Sequence, residues 1–125
     1  MNTTITKSLL NTDSILYLEK IVGKDNICSI LQKYIDSYTD IVKNLNDACT
    51  DHNTKEMKRL AHSLKSSSMQ VGAERLSSLC KDLEEGSEDY NFKISNNLIS
   101  EIGVEFNTTS LYLKEIIDKY KKNNI

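Results

Sequence analysis

The chain has no proline, no tryptophan and only four glycines in 125 residues. Apart from Gly23, Gly72, Gly86 and Gly103, little in it compels a helix to stop. No apolar run approaches the ~20 residues of a membrane-spanning helix. Neither sign of charge dominates: 16 basic residues face 18 acidic ones, a formal net charge of -2. That balance gives no global pull towards nucleic acid or an anionic membrane. The three cysteines, Cys28, Cys49 and Cys80, are odd in number, far apart and without a Cys-x-x-Cys pair, so the expectation is three reduced, partly buried thiols. They share no ligand spacing with His52 or His62, and a metal site is not expected. A Gly-rich phosphate loop is also missing. The first residues, Met1 to Lys7, lack the apolar stretch of a signal peptide, which makes the cytoplasm the expected location.

What is present is helical periodicity nearly throughout, in a chain long enough to bury one core. Residues 1–125 read as a single domain, with 1–12 and 122–125 expected to be flexible. A first helix is expected over Asp13–Val22, with Ile15, Leu18, Ile21 and Val22 inward and Gly23 as its stop. A long second helix spans Lys24–Ala48, and a polar loop, Thr50–Thr54, leads into a third that Asn53 or Thr54 caps and Gly72 ends. A fourth runs from Ala73 to Glu85 and stops at Gly86, followed by an acidic link, Ser87–Asn91, expected to be mobile. The last covers Phe92–Lys121, with Gly103 off its apolar stripe as a candidate bend. Short links favour antiparallel neighbours, so the expected fold is all-α, an up-and-down four-helix bundle with an additional N-terminal helix.

The third helix carries the chemistry. Successive helical positions turn by about 100°, which places Leu60, Leu64 and Val71 near one direction, with Met57 close by. His62 lies about 180° from the midpoint of Leu60 and Leu64 and is expected to face solvent. Around it on the outer face stand Lys55, Lys58, Arg59, Lys65, Ser66 and Met69. An isolated surface histidine is ordinarily inert and a charge run is ordinarily just a solvated face. Here an accessible imidazole, a nucleophile when neutral, sits among cations that could hold an anion against it. Lys65, three residues on, is placed to contact a phosphoryl group on the ring.

At these residues the chain resembles the histidine-containing phosphotransfer (HPt) domains of multistep two-component relays. The likeness rests on Ala61-His62-Ser63-Leu64-Lys65-Ser66-Ser67-Ser68, then Val71-Gly72-Ala73, Leu76, and Leu79-Cys80-Lys81-Asp82-Leu83-Glu84. It implies that His62 accepts a phosphoryl group from the aspartyl phosphate of one receiver domain and passes it to an aspartate of another. It implies that Lys65 contacts the phosphate. Ser66 stands where the family often has glycine, a small residue that lets the receiver approach. Ser67 and Ser68 turn towards the core and are expected to serve packing. The partners implied are response-regulator receiver domains, of a hybrid histidine kinase or of separate proteins. The Mg²⁺ of the transfer would belong to the receiver, and the chain would be a monomeric phosphocarrier with no ATP-dependent kinase activity of its own. Lys58, Arg59, Ser66 and Met69 are the candidate docking residues, with Ile35 and Val42 weaker ones because packing explains them equally well.

Two other readings stand beside this one. A helical adaptor could dock receivers without chemistry, since fold does not fix function. The dimerisation and phosphorylation part of a sensor kinase would carry an acidic residue after the histidine and a proline nearby. This chain has Ser63 there and no proline. A bundle metal protein is the remotest option, because inward-facing carboxylate and histidine pairs are missing.

Overall fold

The computed structural model describes residues 10–87 and 91–123. Six helical segments follow one another: α1 (Thr12–Val22), α2 (Lys24–Asp36), α3 (Tyr38–Thr50), α4 (Thr54–Gln70), α5 (Glu74–Gly86) and α6 (Phe92–Asn123). Among the described residues there is no strand. α2 and α3 are two halves of one bundle helix, so the architecture is the expected four-helix up-and-down bundle plus an N-terminal helix. α4 and α5 form a hairpin, α6 packs against α2, α3 and α5, and α3 packs on α4. α1 lies outside this ring, against α2 and α4.

The core is a continuous apolar cluster. Met57, Leu64, Leu76, Leu83, Ile99, Ile102, Phe106 and Leu113 are each almost fully buried. Phe106 anchors it, with the Tyr34 ring stacked on it at 4.9 Å and Tyr38 edge-on at 5.1 Å. No described helix is long and apolar enough to cross a membrane. Cys28, Cys49 and Cys80 are all free thiols.

The expected single helix over Lys24–Ala48 is interrupted at Ser37. Its Oγ donates to the Tyr34 carbonyl at 2.6 Å, and its N–H is shared between the Lys33 and Tyr34 carbonyls. A serine that back-bonds to its own helix competes with the regular ladder and bends it. Ile21 is a second correction: it is exposed, whereas Ile15 is buried and Leu18 and Val22 pack on the core. On the helical wheel Ile21 lies about 120° from Ile15, beyond the inner stripe. α6 runs unbroken through Gly103, which is buried beside Val42 and Tyr38.

α4 ends in a Schellman motif. Ala73 N–H donates to Ser68 O and Gly72 N–H to Met69 O, with Gly72 at φ +80°. α3 ends in the same way at His52, a non-glycine residue at φ +54°, whose ring stacks on Phe92 with centroids 3.9 Å apart. Of the expected flexible stretch 1–12, residues 1–9 lie outside the described residues. Leu10 is buried, and Asn11 caps α1 and donates its N–H to Gly72 O at 2.7 Å. Of the acidic link, residues 88–90 lie outside the described residues, while Ser87 is buried. At the C-terminal end, Lys122 is still within α6, and residues 124 and 125 lie outside the description.

Candidate functional site

α4 begins where Asn53 accepts the Glu56 N–H through its side chain and buries Met57, Leu60, Ala61 and Leu64 against the bundle. That burial fixes the helix rotation and turns His62 outward, with 61% of its side chain exposed. Two further bonds hold the backbone here. Ser77 of α5 donates to the Lys65 carbonyl at 2.9 Å, and Ser68 on the inner side shares a 2.6 Å bond with the buried Tyr34 hydroxyl. Ser67 donates to the Leu64 carbonyl of its own helix. Both serines therefore serve the fold.

His62 is not alone on its face. Its Nδ1 lies 2.6 Å from Oε2 of Glu84, on α5. The other oxygen of that carboxylate, Oε1, accepts from Lys65 Nζ at 2.7 Å. Glu84 thus bridges the histidine and the lysine across the α4–α5 hairpin. The Lys65 ammonium beside it holds its carboxyl below the usual carboxylate range, and the His62 bond adds to this against partial burial. The helical pattern alone does not mark Glu84 as a site residue. The available signal is its place four residues after Cys80, itself four after Leu76, which continues the α5 row that faces α4.

Lys65 does not stand out into solvent as the wheel suggested. Its side chain is 29% exposed and lies across the hairpin, drawn in by Glu84. The expected one-sign basic face is likewise corrected. Arg59 is paired with Glu56 through Nε at 3.0 Å and through a second guanidinium nitrogen. Lys58 is exposed and has an interaction partner. Lys55, Lys58, Arg59, His62 and Glu84 line one shallow depression, so the surface beside the imidazole is a mixed-charge shelf with cations in excess.

Ser66 and Met69 are exposed on the other side of Lys65, with Met69 at 55%. They line an apolar groove against α1. Ile35 is buried and Val42 half-buried, which assigns both to packing. Cys80 is buried near the Lys65–Glu84 pair, and burial pushes its thiol up to about 12, so it is no nucleophile. Among the described residues no group of three or more His, Cys, Asp or Glu side chains could hold a metal ion.

The fold is shared with solved structures. The histidine-containing phosphotransfer protein B of Pseudomonas aeruginosa superposes with a TM-score of 0.82 at 22% identity, over 89% of this chain and 96% of that one. The HPT domain of a sensor hybrid histidine kinase from Shewanella gives 0.74 at 18% identity, over 90% and 97%. No curated protein matches the chain. The Hpt domain family model matches residues 29–118, which takes in the bundle and the whole His62–Glu84 hairpin, and the chain belongs to the Hpt domain family.

Proposed function

We propose that this protein is a phosphorelay intermediate in which His62 takes a phosphoryl group from the aspartyl phosphate of a receiver domain and yields it to the aspartate of another. The observation that carries this reading is the bond between His62 Nδ1 and the Glu84 carboxylate. A carboxylate only accepts hydrogen bonds, and Glu84 is kept ionised by Lys65. Nδ1 therefore carries the proton, and the lone pair resides on Nε2.

In the transfer, the Nε2 lone pair attacks phosphorus while the bond to the aspartyl oxygen breaks and the carboxylate leaves with its electron pair. The ring gains positive charge, and Glu84 is placed to stabilise it through Nδ1–H. Lys65 has two further N–H donors beyond the one given to Glu84, and these serve the phosphoryl oxygens. Reversal of the same path loads the next receiver. The receiver supplies the Mg²⁺, and this chain supplies nucleophile, orientation and positive charge. Hpt domains are phosphocarriers, not independent kinases, and in this reading the chain does not phosphorylate itself from ATP.

The test is incubation with a phosphorylated receiver. The expected result is an acid-labile, base-stable label on the wild-type chain and none on His62→Gln. An unlabelled wild type that still binds the receiver would instead support a docking adaptor.

A further inference from the structure

A serine inside a helix ordinarily turns its hydroxyl back on its own backbone. Ser67 and Thr108 do so, each donating to a carbonyl of the helix it sits in. Ser77 does not. It lies within α5, is 2% exposed, and donates across the hairpin to the Lys65 carbonyl of α4 at 2.9 Å. A buried hydroxyl must find a partner, but that partner need not be the backbone of another helix. A carbonyl oxygen has two lone pairs, so this bond is added to the ladder of α4 rather than taken from it.

Ser77, Cys80 and Glu84 follow one another at spacings of three and four, and so form one row of α5 that faces α4. The two polar members of the row hold the same residue. Ser77 holds the Lys65 carbonyl, and Glu84 holds the Lys65 ammonium at 2.7 Å. They stand two helical turns apart, about 10 Å along α5. Helical carbonyls point towards the C-terminal end and side chains lean towards the N-terminal end. Across the hairpin, Lys65 therefore meets Ser77 with its backbone and, leaning back towards His62, meets Glu84 with its side chain.

The apolar contacts of the hairpin are non-directional and tolerate a small slide of one helix on the other. A hydrogen bond weakens steeply when its geometry is lost. A slide of α5 by a fraction of a turn would take the Glu84 carboxylate away from His62 Nδ1, which it meets at 2.6 Å. The Ser77 bond resists that slide because its acceptor is fixed backbone. α4 is held separately from the other side, through the buried bond between Ser68 and Tyr34 of α2.

We propose that Ser77 is a positioning residue of the phosphotransfer site: by holding the Lys65 carbonyl it fixes the register of α5 against α4 in which the Glu84 carboxylate meets both His62 and Lys65. Ser77 acts on the imidazole through Glu84 and touches neither the ring nor the phosphoryl group. This inference rests on the phosphotransfer reading above.

The experiment uses the full chain as wild type, Ser77→Ala, Ser77→Cys, Glu84→Ala and Ser77→Ala/Glu84→Ala. Alanine removes the donor and is the better helix former, while cysteine nearly keeps the shape but donates weakly. The ¹⁵N spectrum of histidine in the unphosphorylated chain, recorded in alkaline buffer, reads which ring nitrogen of His62 carries the proton. Single-turnover labelling by the receiver domains encoded in the same genome, phosphorylated beforehand with acetyl phosphate, reads transfer. Both Ser77 variants should move His62 towards the Nε2–H form, part of the way that Glu84→Ala takes it. They should slow labelling by about fivefold, the scale of one hydrogen bond. In the Glu84→Ala background Ser77→Ala should slow labelling no further, because the two act as a unit. A labelled wild type with an unmoved tautomer in Ser77→Ala overturns the inference alone. So does a Ser77→Ala effect that persists undiminished without Glu84, or a Ser77→Cys variant that matches the wild type in both readouts, since packing would then suffice. A wild type that no phosphorylated receiver labels overturns the phosphotransfer reading and this inference with it.

Discussion

His62 Nδ1 and a carboxylate oxygen of Glu84 meet at 2.6 Å, although the two residues are 22 positions apart on different helices. The bond sets the tautomer of an exposed imidazole and, in the proposed transfer, leaves Nε2 as the nucleophile. Replacing the carboxylate probes this directly. Glu84→Gln can still accept from Nδ1–H but has lost its charge, and phosphorylation of His62 should slow by a few-fold. Glu84→Ala loses the bond as well and should slow by about tenfold, the scale of a charge-assisted bond at a partly exposed site. Single-turnover labelling of the two variants checks the order.

Lys65→Ala should slow transfer and shorten the lifetime of the phosphohistidine, because the ammonium is the cation nearest the Glu84–His62 pair. The fold should survive, since a partly exposed ion pair contributes about 1 kcal/mol or less. Chase of the labelled chain in buffer gives the lifetime, and a thermal melt gives the stability. A variant that unfolds would mean that Lys65 is a core residue, contrary to its place across the hairpin.

The acidity of Glu84 has a stability consequence. Its folded-state pKa lies below the ordinary value of 4.5, through Lys65 first and His62 second. A depressed carboxylate stabilises the fold fully above that ordinary value and loses the contribution as pH falls through the folded value. The stability difference between wild type and Glu84→Gln should therefore be constant near neutrality and shrink below about pH 4.5. Urea melts from pH 3 to 7 measure it.

Much of this was legible in the residues. The Leu60/Leu64 stripe put His62 on the outside, and Met57, Leu60, Leu64 and Val71 are buried as that stripe requires. Asn53 and Gly72 mark the two ends of α4 because a cap and a left-handed stop are local chemistry. Glu84 was not legible as a site residue, because which side chain of α5 meets His62 depends on how two helices pack. The same packing drew Lys65 inward. The break at Ser37 is not legible, because a single serine leaves the apolar periodicity intact, and only the structure shows its bond to the Tyr34 carbonyl. Ile21 reads as inward because it is apolar, although its angle on the wheel places it away from Ile15.

Gly72 joins two requirements at one position. Its φ of +80° is left-handed, and the Asn11 backbone leaves no room for a Cβ. Gly72→Ala should cost about 2 kcal/mol or more, from the left-handed conformation and the displacement of Asn11 together. At about 4 °C per kcal/mol for a chain of this size, the melting temperature should fall by roughly 8 °C. Amide exchange should show α1 opening before the bundle. An unchanged melt would mean that the Asn11–Gly72 junction adapts.

In the proposed relay, His62 Nε2 carries the phosphoryl group while Nδ1–H is held by Glu84. Nuclear magnetic resonance of the chain with ¹⁵N-labelled histidine, after phosphorylation by a receiver domain, tests it in one spectrum. The expected result is phosphorus coupling to Nε2 of His62, with Nδ1 protonated. Coupling to Nδ1, coupling on His52, or no phosphorus–nitrogen coupling at all would contradict it.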